Sequence, residues 1–512
     1  MKETVQHTYS SSTKRIAKNT LMLYFRQILI MLVSLYTVRV VLATLGAEDY
    51  GIYNVVAGVV TMFSFLSGSM ATASQRYFSF ALGQNDEKLL KETFGVTLTV
   101  YLLFVIVVFI LAETVGVWFV KNKLVIPDER LESAICIFHF SIITFLVTIL
   151  TTPYMAAIIA HEEMNIYAYI SILEVILKLL MVFILKFLSY DKLILYGLLL
   201  LIVAVINTSV YRIICMKKFS ECKSSVIWKG QGIKSISSFI GWNFFGSFAT
   251  AVKTQGYSIF INIYFGPVVN AAQGIATQVR GVILNFSQNF SLAVRPQIIK
   301  MYAAEDFEKL QPFLIFSCKI TYYLMLLMIV PIYDRLAVLL GFWLNEIPEY
   351  TIRFIQLLLI ESLVESISSP MVSLNQATGK IALYQFLIGI AVILNLPFTY
   401  IILKMGYPPY SIYIGGILFI GIVVLTRLFF LKKIATFSIK RFLRKLIFPA
   451  LVLTFVSFLI CKLIYFPTEK IPFVLLEICI KILIILIFIY VIGLDKQQKE
   501  QVLVKIKSRR GR

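Results

Sequence analysis

Four charged side chains stand inside runs that are otherwise apolar: Lys253, Arg280, Glu361 and Glu365. A charge near the centre of a bilayer costs ~2.5–3.5 kcal/mol on insertion scales. A cation kept at that cost faces water, an anionic ligand or a counter-charge. Lys253 and Arg280 therefore read as a cationic pocket for an anionic substrate. The alternative is that each pairs with Glu361 or Glu365. Those glutamates stand four apart and repel one another on one helix face. Either one holds a proton or both meet cations, so they are candidates for ion coupling. Arg26 and Arg39 extend the cationic set on an earlier run, with snorkelling to the surface as the alternative. Arg76 and Arg295, close to run ends, read as interfacial anchors. Glu174 with Lys178 and Glu477 with Lys481 are four apart and read as self-neutralising structural pairs.

Uncharged polar residues accompany these cations. Asn54, Thr61, Thr72 and Gln75 lie in one run, Asn243 and Thr250 in a second, and Gln273, Thr277 and Gln288 in a third. Within the runs such residues recur at spacings near three, four and seven, which puts them on one helix face. A face turned to lipid has no use for such a row, whereas a face lining water does.

The elements that must hold these groups are membrane helices. Hydrophobic residues make up 59% of the chain and the mean hydropathy is +0.85. A span needs ~20 mostly apolar residues, and such runs follow one another almost end to end, giving about 14 of them. Lipid leaves no partner for a free amide, so each crossing closes its own hydrogen bonds as a helix. The fold class expected is all-α and integral to the membrane. The net charge of +21 falls mostly on one side of these spans, by roughly three to one, which places both termini in the cytoplasm. That distribution reads as membrane-surface charge and not as a nucleic-acid site. One turn fits poorly: His161-Glu162-Glu163 should be cytoplasmic and holds no Lys or Arg.

A repeat is visible at an offset of about 220 residues. Leu45-Gly46 closes the first span and Phe265-Gly266 the seventh; Asp86-Glu87-Lys88-Leu89 follows the second, and Asp306-Phe307-Glu308-Lys309-Leu310 the eighth. An even number of spans per repeat makes the halves parallel, a common transporter plan with the substrate near mid-membrane. The expected organisation is a tail at 1–19, an N-lobe of six helices at 20–215, a basic linker at 216–235, and a C-lobe of six at 236–431. Two extra helices at 432–494 and a basic tail at 495–512 complete it.

Several chemistries lack their motifs. Gly379-Lys380 is followed by Ile381, so no nucleotide phosphate loop forms. His7, His139 and His161 have no zinc spacing, and the six cysteines, Cys136 to Cys479, have no metal-like spacing either. No nucleophile elbow is present. The expectation is a protein that is not an enzyme, with no catalytic residues, no cofactor and no metal.

Local strings then carry a resemblance. Thr44-Leu45-Gly46-Ala47-Glu48-Asp49-Tyr50-Gly51, Ser69-Met70-Ala71-Thr72-Ala73-Ser74-Gln75-Arg76, Phe265-Gly266-Pro267, Arg295-Pro296-Gln297 and Gln376-Ala377-Thr378-Gly379 stand in order along the chain. Together they resemble the O-antigen and capsule repeat-unit flippases of the multidrug/oligosaccharidyl-lipid/polysaccharide exporter superfamily. The resemblance implies two pseudo-symmetric six-helix lobes plus two helices, and alternating access in a bacterial inner membrane. It implies a cargo of oligosaccharide linked through diphosphate to undecaprenol, gripped by cations on the first, second, seventh and eighth helices. Lys253 and Arg280 match that pattern by helix and depth, Arg26 and Arg39 by helix alone. The partners implied are the lipid-linked oligosaccharide, membrane lipids and a polysaccharide polymerase of the same pathway, the chain itself acting as a monomer. A drug/cation antiporter on the same scaffold is the alternative, disfavoured by the cations and favoured by Glu361 and Glu365.

Overall fold

A computed structural model describes residues 2–499 apart from 62–63, 125, 189, 225, 229–231, 345–346, 435–436 and 496–497. Among the described residues the chain is helical throughout, without a strand. The helices are α1 Lys2–Thr61, α2 Ser64–Gly83, α3 Glu87–Leu111, α4 Val117–Lys123, α5 Leu131–Ala160, α6 Met164–Phe187 and α7 Lys192–Lys218. After the linker come α8 Gly232–Ala303, α9 Phe307–Ile329, α10 Leu336–Trp343, α11 Thr351–Ser366 and α12 Ser369–Ala377. The series ends with α13 Ala382–Lys404, α14 Ser411–Ile434, α15 Ile439–Phe442, α16 Phe448–Leu463 and α17 Ile471–Phe488.

Nine of the described helices are long and apolar enough to cross a membrane, ten if α11 and α12, bent by 41°, count as one broken span. The remaining expected spans are the polar ones, and they lie in α1, α2 and α8. The two long helices each contain a break. Gly46 in α1 has φ 79°, ψ 170°, and Gly266 in α8 has φ 81°, ψ −178°. Only glycine adopts such a backbone without strain, so α8 is two crossings joined at a glycine, and α1 is one crossing followed by the start of the expected span 52–80, whose later residues lie in α2. This brings the architecture to about 14 spans.

The repeat extends to local chemistry. Asn85 and Glu305 both take left-handed φ, at 55° and 53°. The next residue in each case caps a helix: Asp86 accepts from Leu89 N at 2.9 Å and Asp306 from Lys309 N at 3.3 Å. Such a cap satisfies an amide that the first turn leaves unpaired.

The chain forms two compact units, Met1–Ser247 with Ile299–Glu305, and Phe248–Ile298 with Asp306–Arg512. The division differs from the linker limits read from sequence. α7 runs on to Lys218, and α8 begins at Gly232. The first turns of α8 belong to the first unit because they pack there. Gly232 lies against Val96, Tyr77 hydrogen-bonds Ser235 at 2.6 Å, and Phe239 meets the Tyr77 ring edge-on.

Each unit has its own core. In the first, Phe78, Phe94, Tyr154 and Ile158 pack together; in the second, Tyr257, Met325, Phe354, Leu358 and Tyr413 do so. Outward faces carry Leu, Ile and Phe, as Phe448 (68% exposed) and Phe455 (71%) illustrate. Apolar surface on that scale is expected where lipid is the solvent.

Candidate functional site

In the second unit the intramembrane charges meet. Lys253 of α8 donates to Glu361 of α11 at 2.7 Å, with side chains 17% and 2% exposed. Lys253 also lies 5.4 Å from the centre of the Tyr257 ring. Arg280, further along α8, donates through Nε to Ser362 Oγ at 2.9 Å and through Nη2 to Glu365 at 3.0 Å. The two glutamates thus avoid mutual repulsion by each taking a cation. This is the ion-pair arrangement named as the alternative to an open cationic pocket. Both pairs lie just before the break between α11 and α12. That break is held by Arg427 Nη1, which donates to Ser368 Oγ at 2.7 Å, and by a 3.1 Å contact of Ser291 with Ser369.

Beside Glu361 is a buried polar knot. The Tyr257 hydroxyl bonds the Asn395 side chain and lies 3.2 Å from the Ile412 carbonyl, and Thr399 Oγ1 lies 3.2 Å from Asn395 Oδ1. Gly416 passes over this knot, where an added Cβ would sit 3.1 Å from Glu361 Oε2.

In the first unit Arg26 of α1 stands differently. Its guanidinium lies 4.7 Å above the centre of the Tyr167 ring, and Nη1 donates to Ser171 Oγ at 3.2 Å. Nε is buried without a partner among the described residues. Among the described residues no carboxylate lies within 4 Å of Arg26. Nearby on α6, Glu174 is taken by Lys178 at 2.6 Å and by Asn207 at 3.1 Å. Among the described residues Arg26 is therefore a half-buried cation held by a hydroxyl and an aromatic face and by no carboxylate. Arg39, Asn54 and Thr61 lie outside the residues whose side chains are described.

The remaining polar candidates divide by exposure. Gln75, Asn243 and Gln273 are buried and cannot touch a ligand in this conformation. Asn243 donates back to the Phe239 carbonyl, and Gln273 Oε1 has no partner among the described residues. Thr72 and Thr277 are half-buried and bond carbonyls of their own helix, at 3.0 and 2.8 Å. Thr250 and Gln288 are exposed. Arg76, expected as an interfacial anchor, is packed within the first unit. It is 7% exposed, 4.5 Å from the Tyr77 ring centre and 4.8 Å from that of Phe80.

Other charge clusters were not legible as such. Arg130 joins Asp49 and Asp191, the latter at 2.8 Å. Asp191 also accepts from Ser133 and from the amides of Leu193 and Ile194. Burial pushes its carboxyl up, yet the Ile194 amide, Ser133, the Leu193 amide and Arg130 together hold it below the ordinary value. The Glu477–Lys481 pair is half of a larger network. Glu477 also binds Arg335, and Lys481 reaches Asp334 at 2.7 Å. The odd turn at 161–163 is explained likewise. His161 lies 2.6 Å from Glu221, Glu162 takes Lys300 at 2.9 Å, and Glu163 takes Lys218 at 2.8 Å. It lacks cations because it is the counter-charge for cations elsewhere.

Among the described residues no group of His, Cys, Asp or Glu could hold a metal ion. Comparison with known proteins bears on what these charges serve. The family model described as "Polysaccharide biosynthesis protein" matches residues 16–302. No curated protein sequence matches the chain significantly. Among solved structures, a MATE protein in the bent conformation superposes with a TM-score of 0.71 at 13% identity, over 83% of this chain and 96% of its own. An outward-facing multidrug resistance MATE family transporter of the MOP superfamily gives 0.67 at 13%, over 83% and 96%. A MOP superfamily transporter from Pyrococcus furiosus, described by the reverse polarity of its binding pocket, gives 0.65 at 13%, over 82% and 95%. At such identities the likeness is one of fold.

Proposed function

The chain belongs to the polysaccharide biosynthesis protein family, and from that premise we propose that it flips an oligosaccharide linked through diphosphate to a polyprenol, from the cytoplasmic to the periplasmic leaflet of a bacterial inner membrane. The observation that carries the reading is Arg26, a cation inside a membrane unit with no carboxylate within 4 Å among the described residues. A diphosphate crossing hydrocarbon bare would cost far more than one buried cation. A guanidinium offers it charge-assisted, bidentate hydrogen bonds. Tyr167 and Ser171 keep the fork oriented while leaving its charge available.

Lys253 and Arg280 then serve at a second stage. Each is neutralised by a glutamate in the present conformation. Protonating Glu361 or Glu365 would free a cation for phosphate, so a proton and the anionic head could be linked at one place. Alternating access supplies the two conformations, and the breaks at Gly46, Gly266 and between α11 and α12 supply bending points. The transporter from Pyrococcus furiosus, with its pocket of reverse polarity, is a precedent for a changed cargo on this scaffold. An uncompensated arginine disfavours a cationic drug as cargo.

The test is to deplete the protein in cells and identify the lipid that accumulates. A lipid-linked oligosaccharide trapped on the cytoplasmic leaflet, reproduced by Arg26→Ala in a variant that still inserts, supports the proposal. Normal surface polysaccharide in the Arg26→Ala strain would overturn the role of Arg26. Unchanged lipid-linked pools on depletion would overturn the function itself.

A further inference from the structure

Between Lys432 and Lys445 the chain carries a dense set of cations, and Lys432, Lys433, Lys440, Arg441 and Arg444 are all exposed. Among the described residues none of them has a carboxylate within 4 Å. Asp495 is already shared by Lys445 at 3.6 Å and Lys319 at 3.5 Å. Positive charge is thus left over at one end of α14 and α16.

The packing of this segment fixes which way that charge faces. Phe442, Leu446, Ala450, Leu453, Ser457 and Cys461 are buried, at spacings of four, four, three, four and four. They form the stripe through which α15, the π-turn Leu443–Ile447 and α16 attach to the second unit, where Ala450, Leu453 and Cys461 join the core. The opposite face begins with Lys440 and Arg444 and continues as Phe448, Leu451, Phe455 and Leu459, which are 53–71% exposed. The π-turn contributes by closing i→i+5 bonds. Its wider turn keeps the basic tip in line with the apolar stripe below. From Phe448 to Leu459 the stripe is ~17 Å long at 1.5 Å per residue, about half of a ~30 Å hydrocarbon core. Its length therefore matches one leaflet.

A basic tip above a leaflet-long apolar track has the shape and polarity of an anionic phospholipid. We propose that the outer face of α15 and α16 is a binding site for an anionic phospholipid of the cytoplasmic leaflet. Its headgroup phosphate sits on Lys440, Arg441 and Arg444, and an acyl chain runs down Phe448, Leu451 and Phe455. Each cation close to an anionic surface contributes a factor of about five in affinity. Three acting together make a retained lipid and not a passing neighbour. Lys433, 4.6 Å from the Phe429 ring centre, widens the same field.

The full-length protein is reconstituted in vesicles of phosphatidylcholine alone or of phosphatidylcholine with phosphatidylglycerol. Retained lipid is counted by native mass spectrometry, and the thermal unfolding midpoint is read in parallel. Wild type retains phosphatidylglycerol and unfolds at a higher temperature in the mixed vesicle. The variant Lys440→Gln/Arg441→Gln/Arg444→Gln loses both effects, on the order of a hundredfold in affinity by the same per-cation factor. Should the triple variant not insert, Arg444→Gln alone is read for a several-fold loss. Equal retention by wild type and variant overturns the proposal. So does displacement of the lipid by inorganic pyrophosphate at low concentration, which would mark the patch as a site for the substrate's own head.

Discussion

Lys253 Nζ lies 2.7 Å from Glu361 Oε1, and the carboxylate is the more deeply buried of the two. A buried charge that loses its partner costs ~3–5 kcal/mol, whereas removing both partners together is often close to neutral. Lys253→Ala is therefore expected to lower the unfolding midpoint of the detergent-solubilised protein strongly. Lys253→Met/Glu361→Leu should restore most of the loss while leaving transport impaired. A double variant no more stable than the single one would mean that Glu361 is not held by Lys253.

Arg26 has the opposite character. Among the described residues its removal leaves no carboxylate unpaired, but does free the Ser171 hydroxyl and the Tyr167 ring face. A cation–π contact is worth ~0.5–1 kcal/mol when exposed and ~2 kcal/mol when desolvated, and half-buried Arg26 falls between the two. Arg26→Ala should thus reduce stability by about that much and abolish surface polysaccharide. Arg26→Lys keeps the charge but not the fork, and partial activity is expected of it. Midpoints and polysaccharide immunoblots on the same variants check this. A collapse in stability matching the loss of activity would make Arg26 structural.

The glycine breaks give a prediction free of packing. At Gly46 and Gly266 an added Cβ meets nothing within 4 Å among the described residues, yet φ is +79° and +81°. Alanine there has room but the wrong backbone, and such strain costs on the order of 1–3 kcal/mol. Gly46→Ala and Gly266→Ala should each destabilise by a similar amount, because the two breaks are equivalent. Gly281→Ala, equally uncrowded but without positive φ, should be neutral or slightly stabilising. Measured midpoints that fail to separate Gly281→Ala from the other two would show that the positive φ is not the constraint.

These elements also mark what the sequence made legible. Spans and the 220-residue offset are local, so composition and short strings revealed them; the caps at Asp86 and Asp306 emerged only with the structure. That Lys253 and Arg280 take Glu361 and Glu365 stood as an alternative, since residue types settle only that partners are needed. Arg26 could not be told apart from them, because its having no carboxylate among the described residues depends on which face of α6 it meets. The same holds for Arg130 with Asp49 and Asp191, brought together from three places far apart in the chain.

Asp191 makes this last cluster sensitive to acid. Its folded-state carboxyl is held below the ordinary value, so its contribution to stability is fully present above about pH 4, the unfolded carboxylate range. The contribution disappears as pH falls through the lower folded-state value. Asp191→Asn should lower the midpoint at neutral pH and flatten its fall between about pH 5 and 3. A titration of the midpoint for both proteins decides it, and parallel curves would refute the assignment.

Glu162 and Lys300 offer the sharpest single contact in the first unit. The carboxylate is 6% exposed, accepts Lys300 at 2.9 Å, and its backbone carbonyl also takes Asn19 at 3.2 Å. The helix end that carries Lys300 comes very close to Gly83, where a Cβ would lie 2.7 Å from the Lys300 Cα and carbonyl oxygen. Backbone cannot yield as a side chain does, so Gly83→Val should push this end of α8 away and weaken the ion pair without touching either charge. Glu162→Lys sets two cations together, and Glu162→Lys/Lys300→Glu restores opposite charges at the same spacing. Because Lys300 is a quarter exposed, the single reversal should cost somewhat less than the ~3–5 kcal/mol of a fully buried pair. The swap should recover most of it, whereas Gly83→Val combined with the swap should not. If the swapped protein unfolds as early as Glu162→Lys alone, the two side chains are not energetically coupled and the contact is incidental.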